Sequence, residues 1–375
     1  MNVAFFTRCS QFMKRFLRMV MLLLFGVLMC MTLTAQNEKK ANSAPLRLDG
    51  HRAPVDSEIP SYEPAPPMTG DLHIVGGAGP PGNMPQLIDL WVDIFKRAHP
   101  SVRVYTAVYS AAMAASAIHD ETAEVGPSGR ELMPYEIGLF RNQDYKPVEI
   151  LVGGGTYATD GATCAQLVFV NKTNPLQKLT LPQLDAIFSK SRKRGYKEDI
   201  TRWGQLGLTG EWADKPIHVY GYGQPNGMAV AFSFTALKGG DFKDITIRHR
   251  TFSGAGSTTS GSVNLVDTVA EDPYGIAYAG LDSAQAATAT KIISIGENDS
   301  GPFFDPSFEN VLSRKYPLGR LIYLDVIRYP GKPINPLAKE FIRVALSREG
   351  QEAQARTLYM PLPAAMVIES LRKLE

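Results

Sequence analysis

Apolar and polar positions along most of the chain alternate between two periods. Leu72-His73-Ile74-Val75 reads as a strand, and after a Gly/Pro turn Met84, Leu87, Ile88, Trp91, Ile94 and Phe95 fall at helical spacing. Val102 and Val104 open a second strand, Ala111 to Ile118 a second helix, and Val148 to Val152 a further strand. The style persists beyond. A strand from Gln166 to Val170 precedes Thr180-Leu181-Pro182-Gln183, a capping-box pattern that opens a short helix through Ile187 and Phe188. Ile217 to Tyr220 then meets a Gly-rich turn and an apolar helix around Ala229 to Leu237. Near the end, Asn335-Pro336 supplies an N-cap and a first-turn proline for a helix carrying Leu337, Phe341, Ile342, Val344 and Leu346. Strands alternating with helices predict an α/β fold.

The first 70 residues do not follow this pattern. Arg8, Lys14, Arg15 and Arg18 precede an apolar run from Met19 to Leu33, and Leu33-Thr34-Ala35 before Gln36 offers small residues for cleavage. Residues 1–35 therefore read as a secretory signal, the run being short against the roughly 20 residues of a membrane span. Residues 36–70 carry Pro45, Pro54, Pro60, Pro64, Pro66 and Pro67 without a sustained apolar period, and read as a tether.

A chain of 375 residues is long enough for two α/β lobes once such ends are set aside. An apolar share of 44% and a net charge of +2 are those of an ordinary globular protein and give no reason to expect nucleic acid. With Cys9 and Cys30 in the signal, an exported chain keeps only Cys164 and forms no internal disulfide. Cys164 reads as a small core residue. The basic run Lys190, Arg192, Lys193, Arg194 and Lys197 reads as a solvated loop, with docking to a partner or an anionic surface as the alternative.

Three strand-to-helix loops are candidates for chemistry. Gly77-Ala78-Gly79-Pro80-Pro81-Gly82 matches G-x-G-x-x-G literally, but the strand region from Val102 to Ser110 ends in no acidic residue for a ribose hydroxyl. The same loop can offer N–H groups to a small anion, and because Pro80 and Pro81 have none, Gly79, Gly82 and Asn83 must supply them. In Gly126-Pro127-Ser128-Gly129-Arg130-Glu131-Leu132, Arg130 can grip an oxyanion with support from Ser128, or pair instead with Glu131 or Glu136. Tyr220-Gly221-Tyr222-Gly223-Gln224-Pro225-Asn226-Gly227-Met228 is the third. Helix N-termini pointing into one cleft hold an anion without a metal. No G-x-S-x-G, paired-histidine motif or Cys/His ligand spacing occurs, so neither a catalytic nucleophile nor a metal or cofactor is expected.

Gly126 to Leu132 followed by Glu136 and Phe140 resembles the G-P-x-S-R-E-L pattern of the phosphate-binding proteins of ABC-type transporters. Leu179-Thr180-Leu181 through Ile187-Phe188 and Trp203-Gly204, then Pro273 to Gly280, Tyr316-Pro317-Leu318 with Leu321 and Tyr323, and Phe341 to Gln351, are similar to further segments of that family, in order over about residues 70 to 365. The resemblance implies a type II periplasmic-binding fold: lobe 1 from 71–155 and 282–375, lobe 2 from 156–281, and a ligand cleft between. It also implies a small anion or polar solute as ligand and ABC transporter membrane subunits as partner, with the exported chain expected as a monomer in the periplasm, or extracellular and associated with the cell envelope. The loops read above and the resemblance together give Ala78, Gly79, Gly82, Asn83, Ser110, Ser128, Arg130, Tyr222, Asn226 and Gly227 as the expected ligand residues. The departures concentrate in the site. Where the family reads Arg, three residues, Ser-Gly-Thr, this chain has Tyr222 and Asn226-Gly227-Met228; Gly129 replaces a frequent Ser, the Gly-Ser turn appears as Tyr109-Ser110-Ala111, and a ligand-accepting Asp is not evident. A different polar organic ligand, or a sensory or interaction protein that has lost phosphate binding, is the alternative those departures leave.

Overall fold

The computed structural model describes residues 53–78, 84–157, 163–222, 226–244, 261–281 and 288–375, the side chains of 261–264 excepted. The expected signal lies outside them.

The chain begins its first lobe with β1 (Gly70–Gly76), α1 (Met84–Ala98), β2 (Val102–Val108), α2 (Ala111–His119), β3 (Gly126–Ser128), α3 (Pro134–Leu139) and the long β4 (Lys146–Thr156). A second lobe follows, with β5 (Gln166–Asn171), β6 (Lys178–Thr180), α4 (Leu181–Phe188), β7 (His218–Tyr220), α5 (Gly227–Thr235), α6 (Gly261–Glu271), β8 (Gly275–Gly280), β9 (Thr290–Ile292), β10 (Ser294–Gly296), β11 (Phe303–Phe304) and α7 (Phe308–Leu312). The return to the first lobe comprises β12 (Leu321–Arg328), α8 (Pro336–Leu346), α9 (Arg348–Ala355), β13 (Tyr359–Met360) and α10 (Ala364–Arg372).

In the first lobe β1 and β2 are parallel, single bridges at Ile74–Val125 and Gly77–Ser128 bring β3 beside β1, and β12 and β4 continue the sheet antiparallel. Parallel neighbours require helical crossovers, which α1 and α2 supply. In the second lobe the order is β7-β8-β5-β9, with a small β11-β10-β6 sheet beside it. Each lobe has its own core. Trp91, Phe95, Ile150, Leu324 and Phe341 belong to the first; Phe169, Phe188, Trp203, Phe232 and Tyr278 belong to the second. The predicted capping signals are realised: Thr180 and Gln183 exchange hydrogen bonds of 3.3 and 2.9 Å, and the Asn335 side chain accepts from the N–H groups of Leu337 and Ala338. Cys164 is buried.

Two boundaries differ from the expectation. Ile293, Ile295, Val311, Tyr316 and Leu318 pack in the second core, so the chain returns to the first lobe at β12 and not at 282. Motif order does not say against which core a segment packs. From Ala53 the expected tether is also laid down on the first lobe. Ile59 is buried in its core, the Tyr62 hydroxyl donates to Glu340 at 2.7 Å, and Arg348 donates to the carbonyls of Ser57 and Ile59. Its prolines suit an extended strap as well as a free linker. The two crossings run side by side, Gly154 opposite Leu321, with the Gly155 N–H donating to the Arg320 carbonyl at 2.7 Å.

Candidate functional site

The C-terminal ends of β1, β2 and β3 lie together. Gly77 N–H donates to the Pro127 carbonyl at 2.6 Å, while Tyr109 and Ser110 N–H groups both donate to the Gly76 carbonyl. Ala78, Ser110, Ser128 and Arg130 are thereby assembled at one sheet edge, the position at which open α/β sheets hold ligands. Gly76 and Gly77 have φ of 152° and 118°, and a Cβ at Gly76 would stand 2.4 Å from the Pro127 carbonyl, so the close approach of these loops requires glycine. Gly79, Gly82 and Asn83 lie outside the described residues.

Arg130 is buried and meets Glu136 through two hydrogen bonds, Nη1 to Oε2 at 2.7 Å and Nη2 to Oε1 at 2.6 Å; Nη1 also donates to the Glu131 carbonyl. Both alternatives read from the sequence therefore bear on the same side chain: it stands at the strand-end loop and it is already ion-paired. Burial opposes its charge, and the Glu136 carboxylate more than offsets that, holding the guanidinium above its ordinary range. The Ser128 hydroxyl lies 2.6 Å from the Arg130 carbonyl and also accepts the Arg130 N–H at 3.3 Å, so it braces the loop that carries Arg130.

At Gly129, where the resemblance implies a Ser, there is little room for a side chain. A Cβ there would lie 2.7 Å from Thr163 Oγ1 and 3.1 Å from the Ala78 Cβ. Thr163 itself has φ of 64°, unusual for a β-branched residue.

Behind Arg130 the carboxylate of Asp325 is fully buried and has no hydrogen-bond partner among the described residues. Burial, and then the nearby Glu149 and Glu136, push its pKa well above the carboxylate range. Glu149, opposite Asp325 on β4, is also raised by burial, although it accepts the Leu132 N–H at 2.7 Å.

From the second lobe, Asn226 caps α5 by accepting the Met228 N–H at 2.8 Å, and Gly227 opens that helix with free space around it. The backbone of Tyr222 is clasped by the Tyr278 hydroxyl, which accepts from its N–H at 3.1 Å and donates to its carbonyl at 2.9 Å. Ser110 caps α2 in the same manner, accepting from Ala112. These caps are structural, and they leave helix N-termini for a ligand.

One residue at the junction escaped the sequence reading. Arg320 is buried at the return crossing, donating from Nη2 to the Gly129 carbonyl at 2.7 Å and lying 3.3 Å from the Met228 sulfur through Nη1. It ties the Arg130 loop to the first turn of α5. Burial lowers its pKa. An arginine between Leu318-Gly319 and an apolar strand start was the available signal.

Two α/β lobes joined by paired crossings, with helix N-termini and an arginine at the strand ends between them, define a two-lobed solute-binding protein. Residues 86–349 match the family model for a PBP superfamily domain. The chain is 31% identical over 323 residues to the phosphate-binding protein PstS of Pseudomonas aeruginosa, spanning 86% of this chain and 92% of that protein. To the protein SphX of Synechococcus elongatus it is 25% identical over 243 residues, 64% of each chain. Among solved structures, an ABC-type phosphate transport receptor from Vibrio cholerae aligns with a TM-score of 0.47 and 17% identity, covering 78% of this chain and 100% of that one. The chain belongs to the PBP superfamily, in the family of PstS-type phosphate-binding proteins.

Proposed function

We propose that this chain is an exported solute-binding protein that captures phosphate or a related oxyanion between its lobes and presents it to the membrane subunits of an ABC transporter. The observation that carries this reading is Arg130 at the β3 end, beside the β1 and β2 loops, in a chain that shares 31% identity with PstS over most of its length. Ala78, Ser110, Arg130, Asn226 and Gly227 are the proposed contacts, with backbone N–H groups supplying most donors and Ser128 bracing Arg130. No reaction is assigned to the site. The lost Arg and hydroxyls around Tyr222 and Met228 remove charge-assisted hydrogen bonds of about 1.5–3 kcal/mol each, so weaker binding than in a family member retaining them is expected. Calorimetric titration of the purified chain with phosphate, sulfate and methylphosphonate is the test. One equivalent of phosphate binding supports the reading, and neither heat nor thermal shift with any of them overturns it.

A further inference from the structure

An opening of about 450 Å³, lined by residues of both lobes, includes Arg320 but none of the proposed ligand contacts. Arg194, Arg314 and Arg320 line it together with Leu181, Phe234 and Met366. None of these three arginines is ion-paired among the described residues. Arg194 donates to the carbonyls of Ala236 and Thr235 at 2.7 and 2.5 Å, so it is not the solvated side chain its basic run implied. Arg320 reaches a carbonyl and a sulfur, as above. Arg314 is barely partnered: Nη1 lies 3.5 Å from the Arg320 carbonyl, while Nε and Nη2 are enclosed without a hydrogen bond.

Two features of the backbone put Arg314 there. Its φ is 60°, in the left-handed region that costs a non-glycine residue about 1–2 kcal/mol. Its guanidinium also lies on the bare face of Gly154, where a Cβ would stand 1.7 Å from Nη2. A strained position and a missing side chain thus accommodate a cation that lacks a counter-charge, an arrangement that is strongly destabilising unless something compensates it. Burial pushes its pKa down to about 10, which leaves it charged at neutral pH. Of the two carboxylates at the opening, Glu131 accepts the Tyr323 hydroxyl at 2.9 Å and Glu297 is exposed to water.

We propose that this opening is a second anion site, taking a small molecule with an oxyanion head and a short apolar body. The head faces Arg314 and Arg320, and the body lies against Leu181, Phe234 and Met366. Carboxylates and phosphomonoesters share that chemistry.

The test uses the full purified chain, first saturated with inorganic phosphate, and titrates it with octanoate and separately with phenyl phosphate. Binding of at least one probe is expected, the stronger identifying the head group. Arg314→Gly, which suits the left-handed backbone, and Arg314→Gln, which retains bulk, are each expected to weaken the probe at least about tenfold, the loss of one charge-assisted hydrogen bond. Phosphate affinity and melting temperature should not fall. Failure of both probes, or equal probe affinity in both variants, overturns the proposal. Probe binding without any phosphate binding would sink the cleft reading and leave this one standing.

Discussion

Arg130 and Glu136 are six residues apart, both buried, and joined by two parallel hydrogen bonds of 2.7 and 2.6 Å. The same carboxylate accepts the Met133 N–H, so it fixes the start of α3 as well as the guanidinium. Breaking a buried pair from one side leaves an uncompensated charge. Glu136→Gln is therefore expected to lower unfolding free energy by about 3 kcal/mol or more, read as a lower urea midpoint at unchanged slope.

Arg130→Ala removes the cation proposed to face the ligand. Phosphate affinity should fall by at least about 1.5 kcal/mol in calorimetry. Unchanged affinity in a folded variant would place the ligand elsewhere.

Gly129→Ser restores the residue frequent in the family, but the new side chain meets Thr163 and Ala78. A loss of about 1–3 kcal/mol in thermal or urea unfolding is expected from overpacking. Adding Thr163→Gly, which clears the contact and relieves a φ of 64°, should recover most of it.

Asp325 sets a pH dependence. An acid whose pKa is raised by folding binds more protons folded than unfolded, so stability falls as pH rises above the unfolded value of about 3.9 and until the folded pKa is passed. Glu149, Glu136 and Glu131 reinforce the shift and Arg130 opposes it. Asp325→Asn should flatten that decline and melt higher than the parent at pH 8; a parallel melting profile between pH 5 and 8 would refute the assignment.

Ile59 tests the strap. Its truncation to Ala is expected to cost about 2–5 kcal/mol, as for a core aliphatic, whereas a free tether would show no change.

Much of this fold was legible because its signals are local. Thr180 with Gln183 and Asn335 with Pro336 mark helix starts through chemistry confined to a few residues, and the Met84 to Phe95 spacing is the buried face of α1. What escaped depends on distant contacts. Arg320 and Arg314 look like surface cations until β12 is set beside the Gly153-Gly154-Gly155 stretch of β4, and Arg194 until α5 ends against it. Residue type alone permits Ser128 to donate to a ligand, and only the folded loop shows its hydroxyl against the Arg130 backbone. The strap was hidden for the same reason: its partners, Glu340, Arg348 and Glu349, lie about 280 residues further on.

That strap carries a mechanical consequence. Asp56 accepts the Ala364 N–H, Arg348 holds the carbonyls of Ser57, Ile59 and Pro60, and Tyr62 and Ala65 converge on Glu340. Tension applied at Ala53 is delivered through these stitches into α8, α9 and α10 and does not run through the paired crossings. The first lobe, to which the strap is stitched, is thus the part of the molecule that a pull on Ala53 loads first.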